Sequence, residues 1–463
     1  MRIGILTEFP SPSVQSGPAI QTQFLKRGLE ARGHETVLMG PRLPSSDGGH
    51  AEATHQYPSV PWPTHPKVRV AMPGPSMGHL WNAPAVDLIH AQTNTMMSDY
   101  ASWIRRMWQV PVLNTHTVHI PSHSHFVLSD TLYGSETIRD TCRRAARDAE
   151  RRFARLYNGG DCLIVQNRHL VDYWRERGVI VPIEVVGRPI DTDRFDATVK
   201  ADPFSSDCPP GHRFLVVCRH DREKRLDHLI ALFANHIFPH APQATLTLIG
   251  SGPEHLKLVA QARTSPFRAR FHFKGERNHN ALASWYQHAD VFAYTSLSET
   301  FGNVINEALW CGTPVVALND RMGVSHQVQH GDNGLLIRPS RDDTDTEFAE
   351  ACLSLIRSPK RRDLMGRAAQ SGARETSHPD LIISRFEAIY ARAHTHCRAM
   401  LPTPLTDASM AKQMRAFAFH MGRWAWGHAA VLGLAYAAAH IGRGRASETR
   451  ADERSHPHTG VHQ

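Results

Sequence analysis

Two glutamates at a fixed spacing are the first residues that could do chemistry. Glu299 and Glu307 are separated by seven residues in the stretch 296–319, SLSETFGNVINEALWCGTPVVALN, where a helix is predicted to begin near Asn303. The free N–H groups at a helix start can bind hydroxyl or phosphate oxygens, and Gly302 permits close approach. Glu299 would then face the ligand, and Glu307 could hold a vicinal diol such as ribose. In the alternative, Glu299 caps the helix and Glu307 is a solvated helix residue.

A pair of cations follows another predicted strand. Arg219 and Lys224 stand in the segment VCRHDREK of residues 217–224. Arg can bind two phosphate oxygens with its planar guanidinium and Lys adds a point charge, so the pair suits a diphosphate. It would also stabilise charge that accumulates on a leaving phosphate group. A solvated, charged turn is the alternative.

The whole chain is mildly basic. Lys and Arg number 52 against 44 Asp and Glu, for a formal net charge of +8. This favours an anionic partner, such as nucleic acid, an acidic membrane or a phosphorylated ligand. Nucleic acid is disfavoured because no base-reading motif accompanies the basic residues. The seven scattered cysteines argue against disulfides and fit a reducing cytosol, and the short apolar run at the N-terminus does not predict secretion.

Alternating strands and helices must position these residues. In the first half, strands are predicted near 3–6, 36–39, 68–72, 86–90, 110–115, 162–165 and 183–186, and helices over 20–29, 95–108, 135–158 and 167–178. In the second half, strands are predicted near 214–217, 244–249, 269–273, 290–294 and 314–318, and helices over 224–237, 253–263, 279–287, 303–311, 345–357 and 378–395. Two such series predict an α/β protein with two facing Rossmann-like domains, parallel sheets and ligands at the carboxyl ends of the strands.

The predicted organisation has five parts. They are an N-terminal domain over 1–187, a linker over 188–212, a C-terminal domain over 213–377, a closing helix over 378–398 and a C-terminal extension over 399–463. Within the extension, residues 424–442 carry no charge and could span a membrane, lie at its interface or against a partner, or form an ordinary soluble helix. The last residues are polar, which predicts disorder.

The stretch 296–319 resembles the E-x7-E motif of retaining glycosyltransferases of family 4, and the resemblance extends over roughly residues 1–395. It implies the GT-B fold, here with a C-terminal helical extension, and transfer of a hexose from a UDP- or GDP-linked sugar to an acceptor hydroxyl. Glu299 would contact the donor sugar, and Glu307 the ribose. The intervening positions Phe301, Gly302, Asn303 and Val304 would surround the sugar and phosphates.

The same resemblance extends to other motifs. The segment 218–224 matches G-R-x-x-x-E-K with Cys218 in place of Gly, which makes Arg219 and Lys224 the donor-phosphate pair. Gly250 lies in a G-x-G-P turn that borders the nucleotide, and Gly17 lies in a glycine loop that approaches donor or acceptor. A histidine that faces the donor sugar corresponds to His116, with His119 as the alternative.

Two D-x-D sequences raise the question of a catalytic metal ion. The two D-x-D sequences, at 191–193 and 343–345, resemble a cation-binding pattern of another glycosyltransferase fold, but the first falls where the family has N-G-I-D and this chain has RPID. The second lies beside a predicted helix start, where Asp is an ordinary cap. No catalytic metal and no cofactor are expected, because Arg219, Lys224 and helix dipoles can neutralise a diphosphate.

The acceptor is expected to be a lipid or a saccharide. SETFGNVINEAL together with ILTEFP resembles transferases that glycosylate diacylglycerol or related lipids. The arginine-rich helix 135–158 is either an exposed helix with internal ion pairs or a surface that contacts an anionic membrane from the cytoplasm. A GT-B epimerase of sugar nucleotides and a noncatalytic sugar-binding protein remain as alternatives.

Overall fold

The computed structural model describes most of the chain. The described residues are 1–10, 17–42, 55–62, 65–71, 85–92, 96–117, 136–196, 201–204, 211–340, 343–401, 409, 411–412 and 415–416. His119 and the apolar segment 424–442 lie outside them. No helix among these residues is both long and apolar enough to cross a membrane.

Strands and helices alternate as the sequence predicts except over residues 35–91, where five strands follow one another with no described helix between them. Two of these strands, His55–Tyr57 and Ser59–Trp62, were not predicted. The strands are β1 (Arg2–Leu6), β2 (Glu35–Pro41), β3 (His55–Tyr57), β4 (Ser59–Trp62), β5 (His65–Ala71), β6 (Leu88–Ala91), β7 (Val112–Thr115), β8 (Cys162–Val165), β9 (Ile183–Val185), β10 (Arg213–Val217), β11 (Thr245–Ile249), β12 (Phe271–Phe273), β13 (Val291–Tyr294), β14 (Val315–Leu318) and β15 (Gly334–Ile337). Each central strand is a short run of β-branched and apolar residues that is buried along most of its length.

The helices are α1 (Gly17–Ala31), α2 (Met96–Trp108), α3 (Glu136–Tyr157), α4 (His169–Glu176), α5 (Thr192–Phe195), α6 (Leu226–Leu232), α7 (His255–Thr264), α8 (His279–His288), α9 (Asn303–Trp310), α10 (Gly323–Gln327), α11 (Thr344–Arg357), α12 (Pro359–Ser377) and α13 (Pro379–Met400). The predicted helix 224–237 is divided into a 3-10 turn (Arg222–Lys224), α6 and a π-helical turn (Phe233–Ile237). Arg225, which has a positive φ of 53°, separates the first two.

The two main sheets have the same topology. One has the strand order β3-β2-β1-β6-β7-β8-β9, and the other has β12-β11-β10-β13-β14-β15. Every neighbouring pair in the second sheet is parallel. Counted from its own first strand, each sheet begins 3-2-1-4-5-6, which is the doubly wound nucleotide-binding order. The prediction of two Rossmann-like sheets is confirmed.

The chain divides into two compact units. The first comprises the described residues within Met1–Leu163, Arg175–Pro182 and Tyr390–Gln463, and the second comprises Ile164–Trp174 and the described residues of Ile183–Ile389. The core of the first unit includes Met39, Tyr100 and Val112. In the second unit, strands β10, β13 and β14 contribute fully buried residues to one continuous core.

The units do not follow the predicted boundaries. The predicted linker 188–212 contains α5, and its described part belongs to the second unit. Ile190, Phe195 and Phe204 are buried in the core of that unit. Three apolar residues spaced through a proline-rich stretch give little periodicity, although each one is an anchor, so the stretch is part of the unit and not a free connection.

Three helices and one strand of the second unit have no counterpart in the prediction: α5, α10, α12 and β15. Helix α12 buries mainly small residues, including Gly366 and Ala369, so it lacks the stripe of large apolar residues that marks a helix. A Cβ at Gly366 would lie 2.4 Å from the carbonyl oxygen of Gly312, which shows how closely α12 approaches the end of α9. Strand β15 has only four residues, which is too short a run to stand out in the sequence.

Candidate active site

The carboxyl ends of β10 and β13 bring the two predicted cations together with Glu299, one of the two predicted carboxylates. The two strands are parallel neighbours, with Phe214 opposite Val291. Arg219 and Lys224 follow the end of β10, and Glu299 follows the end of β13. Because parallel neighbours end at the same edge of a sheet, residues that are distant in the chain meet there.

Lys224 and Glu299 form the centre of this edge. Lys224 Nζ donates a hydrogen bond to Glu299 Oε1 over 2.6 Å, and the side chains are only 11% and 13% exposed. The hydroxyl of Tyr294 donates to the same oxygen over 2.7 Å. Glu223 Oε1 lies 3.2 Å from Lys224 Nζ. The lysine therefore lies between two carboxylates.

The protonation state of Glu299 follows from these contacts. Burial alone would raise its pKa, but the charge of Lys224 and hydrogen bonds from Lys224, Tyr294 and Ser296 lower the pKa to about 2. For Lys224, burial opposes the charge, and the attraction of Glu299 and Glu223 outweighs it and raises the pKa. At neutral pH the pair is a lysinium and a carboxylate.

The predicted partner cation, Arg219, is more open. Its side chain is 55% exposed, and its guanidinium lies 2.6 Å from Asp221 Oδ2 and 3.9 Å from Glu223 Oε1. Glu223 thus connects Arg219 to Lys224, which it contacts from the other side. The structure places Arg219 and Lys224 in one charged cluster, and the sequence pattern did not reveal the carboxylates of Asp221 and Glu223 within it.

A tight turn holds Lys224 in place. The hydroxyl of Thr295 donates to the carbonyl oxygens of Lys224 and Arg225 over 3.1 and 3.0 Å. Arg225 adopts the left-handed conformation, which is uncommon for a residue with a side chain. These bonds fasten the segment after β10 to the end of β13.

Glu307 is buried, and its hydrogen bond from Tyr286 lies outside the cluster of Lys224 and Glu299. It is 6% exposed in α9, and the hydroxyl of Tyr286 donates to its Oε2 over 2.8 Å. Burial, followed by the charge of Glu307, raises the pKa of Tyr286, so the phenol remains a donor. The alternative of an exposed helix residue is excluded for Glu307.

The turn between the two glutamates is shaped by glycine. Gly302 has φ of 84° and is the N-cap residue of α9, so Glu299 does not occupy the N-cap position. The N–H of Gly323 donates to the carbonyl oxygen of Glu299 over 2.8 Å. A Cβ at Gly323 would lie 2.5 Å from the carbonyl oxygen of Phe301. The side chain of Asn167 donates to the carbonyl of Thr300 over 2.7 Å.

Phe301, Asn303 and Val304, the other predicted residues of this turn, contact neighbouring residues of the second unit. Phe301 is buried, and a Cβ at Gly187 would lie 3.3 Å from its ring. Val304 packs against the core of the second unit. The side chain of Asn303 accepts a hydrogen bond from Arg188 over 3.3 Å.

Gly250 and Cys218 are neighbours. Gly250 has φ of 132°, and a Cβ there would lie 1.9 Å from the carbonyl oxygen of Cys218. Cys218 itself is not among the described non-glycine residues with positive φ. The backbone therefore accommodates a side chain at position 218. Glycine is required at position 250, which follows the carboxyl end of the neighbouring parallel strand β11.

The first unit contains the remaining predictions. His116 follows β7, is buried, and its Nδ1 lies 3.0 Å from the hydroxyl of Tyr157. Gly17 is the first residue of α1. His90, which no sequence motif singled out, is buried between Tyr390 and Thr115, with contacts of 2.9 and 2.6 Å. Its burial lowers its pKa to about 3, so this imidazole is neutral.

One aspartate of each D-x-D sequence contacts a basic side chain. Asp191 pairs with Arg194 at 3.0 Å, and Asp345 lies 2.7 Å from His228. Among the residues that the structure describes, no group of three or more His, Cys, Asp or Glu could hold a metal ion.

The end of α3 forms a basic depression in the first unit. It encloses about 530 Å³ and is lined mainly by arginines, together with one acid and small or polar residues: Asp148, Arg151, Arg152, Ala154, Arg155, Asn158, Arg177 and Gly178. Arg177 is paired with Glu150 at 2.8 Å. Arg152 and Arg155 are exposed.

Two family models match most of the folded chain. The model described as Glycosyltransferase Family 4 matches residues 16–194, and the model described as Glycosyl transferases group 1 matches residues 209–372. Together with the two doubly wound sheets, these matches show a glycosyltransferase of the GT-B fold. The chain belongs to the group 1 glycosyltransferases of family 4.

Individual relatives extend over much of the chain. An alpha-monoglucosyldiacylglycerol synthase of Streptococcus pneumoniae is 25% identical over 325 residues, which are 68% of this chain and 71% of the relative. A GDP-mannose-dependent alpha-mannosyltransferase of Mycobacterium tuberculosis is 23% identical over 85% of this chain and 98% of the relative.

Solved structures share the fold. Anabaena HepE in complex with UDP and glucose matches with a TM-score of 0.61 and 20% identity over 84% of this chain and 99% of HepE. The sucrose-phosphate synthase of Thermosynechococcus elongatus matches with a TM-score of 0.64 and 20% identity over 85% of this chain and 99% of the synthase.

Proposed function

We propose that this glycosyltransferase moves a hexose from a UDP- or GDP-linked sugar to an acceptor hydroxyl with retention of configuration and without a metal ion. The observation that carries the proposal is the Lys224–Glu299 pair at the common edge of β10 and β13. In doubly wound sheets, ligands bind at the carboxyl ends of the strands. Glu299 would contact the donor sugar, and Arg219 with Lys224 the diphosphate.

The state of Glu299 supports a role as an acceptor of hydrogen bonds from sugar hydroxyls. Its pKa of about 2 leaves it ionised at neutral pH, so it is not a proton donor. Lys224 and Tyr294 both bind its Oε1, which weakens it as a nucleophile. We therefore propose a substitution on one face of the sugar. The bond from C1 to the phosphate oxygen breaks, the bond from C1 to the acceptor oxygen forms, and the acceptor proton passes to the leaving diphosphate.

Glu307 is the proposed ribose ligand. A carboxylate can accept hydrogen bonds from both hydroxyls of a diol, and the Tyr286 hydroxyl fixes one of its oxygens. The turn of Phe301, Gly302, Asn303 and Val304 precedes it at the amino end of α9, where backbone N–H groups favour negative charge. Gly250 borders the nucleotide in this proposal. Gly17 is proposed to bind the donor and His116 to face its sugar, as the resemblance to the family implies.

The relatives support a nucleotide-linked donor. HepE was solved with UDP and glucose, and the mycobacterial relative is named for GDP-mannose. Because these names differ in base and hexose, both kinds of donor belong in the test. Metal independence is proposed because Arg219, Lys224 and the amino end of α9 would together offset the negative charge of the diphosphate in place of a metal ion.

A membrane lipid such as diacylglycerol is the proposed acceptor, with a saccharide as the second choice. The pneumococcal relative is named as a synthase of a glucosyl diacylglycerol. The arginines around the end of α3 could contact an anionic leaflet from the cytoplasmic side. Both points support a peripheral enzyme at the inner face of the membrane.

A donor panel tests the proposal. UDP-glucose, UDP-galactose, UDP-N-acetylglucosamine and GDP-mannose are each incubated with the enzyme and vesicles that contain diacylglycerol or a membrane lipid extract, with and without EDTA. The wild type is compared with Glu307→Ala and Lys224→Ala, and with Lys257→Ala, whose lysine is 71% exposed. We expect transfer by the wild type and by Lys257→Ala, loss in the other two variants, no effect of EDTA, and an α-linked product by NMR from an α-linked donor.

Each other outcome has a definite meaning. Full transfer by both Glu307→Ala and Lys224→Ala would remove the site assignment. Turnover of the donor without any acceptor would favour an epimerase or hydrolase, and donor binding without turnover a sugar-binding protein. An inverted product would overturn the same-face mechanism.

A further inference from the structure

Arg188 lies beside the candidate donor site on the segment that follows β9. Its Nη1 donates to Asn303 Oδ1 over 3.3 Å, and its carbonyl oxygen accepts a hydrogen bond from Asn306 Nδ2 over 3.2 Å. Both asparagines belong to the first turn of α9. The arginine is therefore fixed at the amino end of the helix that carries Glu307.

Arg188 is a cation without an anion. No carboxylate of the described residues lies within 4.0 Å of its guanidinium, whereas Arg219 and Lys224 each have such a partner. The buried Nε has no acceptor among those residues either. Burial lowers the pKa of Arg188 to about 10, although the charge of Glu299 opposes this. Since guanidinium has five N–H donors, one long bond to an amide leaves most of its capacity unused.

The charged cluster around Lys224 and Glu299 has a net negative charge before any ligand binds. Arg219 and Lys224 supply two positive charges, while Asp221, Glu223 and Glu299 supply three negative charges, so the five side chains sum to one negative charge. A nucleoside diphosphate would add further negative charge. With Arg188 included, the six side chains sum to zero. The amino end of α9 adds partial positive charge at the same place.

We propose that Arg188 is a donor-binding residue that pairs with the diphosphate of the sugar nucleotide at the amino end of α9. This inference rests on the proposed function. Bidentate contact with phosphate oxygens would satisfy the N–H groups that the protein leaves unused. The arginine stands where the family pattern N-G-I-D has asparagine, so this chain would use a cation at a position that is neutral in that pattern.

The test separates phosphate binding from a structural role. Calorimetry measures the dissociation constants of UDP, GDP and the corresponding nucleosides for the wild type, Arg188→Gln and Arg188→Lys. Arg194→Gln is the matched control, because Arg194 lies on the same segment and pairs with Asp191. We expect Arg188→Gln to weaken binding of the preferred diphosphate by ~10- to 100-fold. Nucleoside binding should be unchanged, and Arg188→Lys should recover part of the loss.

Thermal unfolding of the ligand-free protein gives a second readout. Removal of a partly buried charge that has no carboxylate partner among the described residues should leave the melting temperature unchanged or raise it, whereas removal of a structural arginine should lower it. Equal losses of nucleoside and diphosphate binding in Arg188→Gln would overturn the inference in favour of a structural role. Unchanged diphosphate binding in Arg188→Gln overturns it as well and leaves the proposed function intact. A wild type that binds neither diphosphate removes both proposals.

Discussion

Lys224 Nζ and Glu299 Oε1 are 2.6 Å apart, although 75 positions of the chain separate the two residues. The pairing of β10 with β13 creates this contact, because each residue follows the end of one strand. The pair is buried, and Tyr294 and Glu223 complete its surroundings. The ion pair proposed to bind the donor is therefore also a buried contact that joins the ends of two strands of the second unit.

Replacement of one member of this pair should be costly. Lys224→Met leaves the Glu299 carboxylate buried without its cation, and such losses amount to about 3–5 kcal/mol. Urea unfolding of the variant should show this decrease. The double variant Lys224→Met/Glu299→Gln should recover part of it, because it removes both charges. Lys257→Met, at an exposed lysine, should change the free energy of unfolding by less than ~0.5 kcal/mol. Equal effects of Lys224→Met and Lys257→Met would contradict the prediction.

The stability that Glu299 contributes should depend on pH in one direction. Its pKa is lowered from 4.5 to about 2 in the folded protein. The contribution is therefore complete above pH 4.5 and is lost as the pH falls toward 2. At neutral pH it is on the order of 3 kcal/mol. The difference in unfolding free energy between the wild type and Glu299→Gln should be large at pH 7 and smaller at pH 3.

The exposed carboxylate of Glu276 provides the control for this pH series. Glu276→Gln should follow the wild type at each pH. A difference between wild type and Glu299→Gln that grows on acidification would show that the sign is wrong.

The tyrosines that bind the two glutamates should have separable effects on catalysis. Tyr286→Phe removes the donor to Glu307, the proposed ribose ligand, so the KM for the donor should rise by ~10-fold while kcat changes little. Tyr294→Phe removes a donor to Glu299 at the proposed sugar, so kcat should fall. Steady-state kinetics with the best donor of the panel measures both. A fall in kcat alone for Tyr286→Phe would argue against the assignment of Glu307.

Two glycine substitutions should have opposite effects on stability. A Cβ at Gly323 would lie 2.5 and 2.6 Å from the carbonyl oxygens of Phe301 and Glu299, so Gly323→Ala must displace the turn. It should destabilise the protein by about 1–3 kcal/mol and reduce transfer. Gly372 lies within α12, and a Cβ there would meet no heavy atom within 4 Å outside the backbone of its own helix. Gly372→Ala should therefore stabilise the protein by about 0.5–1 kcal/mol. Calorimetric melting of both variants measures the contrast.

The sequence was most informative where strand ends carry charge. Runs such as those of β10 and β13 predict strands directly, and a parallel arrangement predicts that the residues after them converge. This reasoning led to Lys224 and Glu299. It did not lead to Glu223, Asp221 or Tyr294, because ion pairs within a cluster depend on side-chain directions that a one-dimensional pattern does not contain.

Packing that relies on small or widely spaced residues was harder to predict. Helix α12 fits against α9 through Gly366, and the segment with Phe195 and Phe204 is anchored without periodicity. In the sequence, Arg188 stands out only as a departure from N-G-I-D. Only the structure shows that its guanidinium contacts Asn303 of α9 and not a carboxylate of the described residues.

The division of helix α13 at Tyr390 has a consequence for synthesis of the chain. The buried Tyr390 hydroxyl lies 2.9 Å from His90, and both residues belong to the first unit. Residues from Tyr390 onward leave the ribosome only after the whole second unit has been made. The unit that is translated first is therefore completed last, and until then its nascent sheet lacks the helix that covers His90.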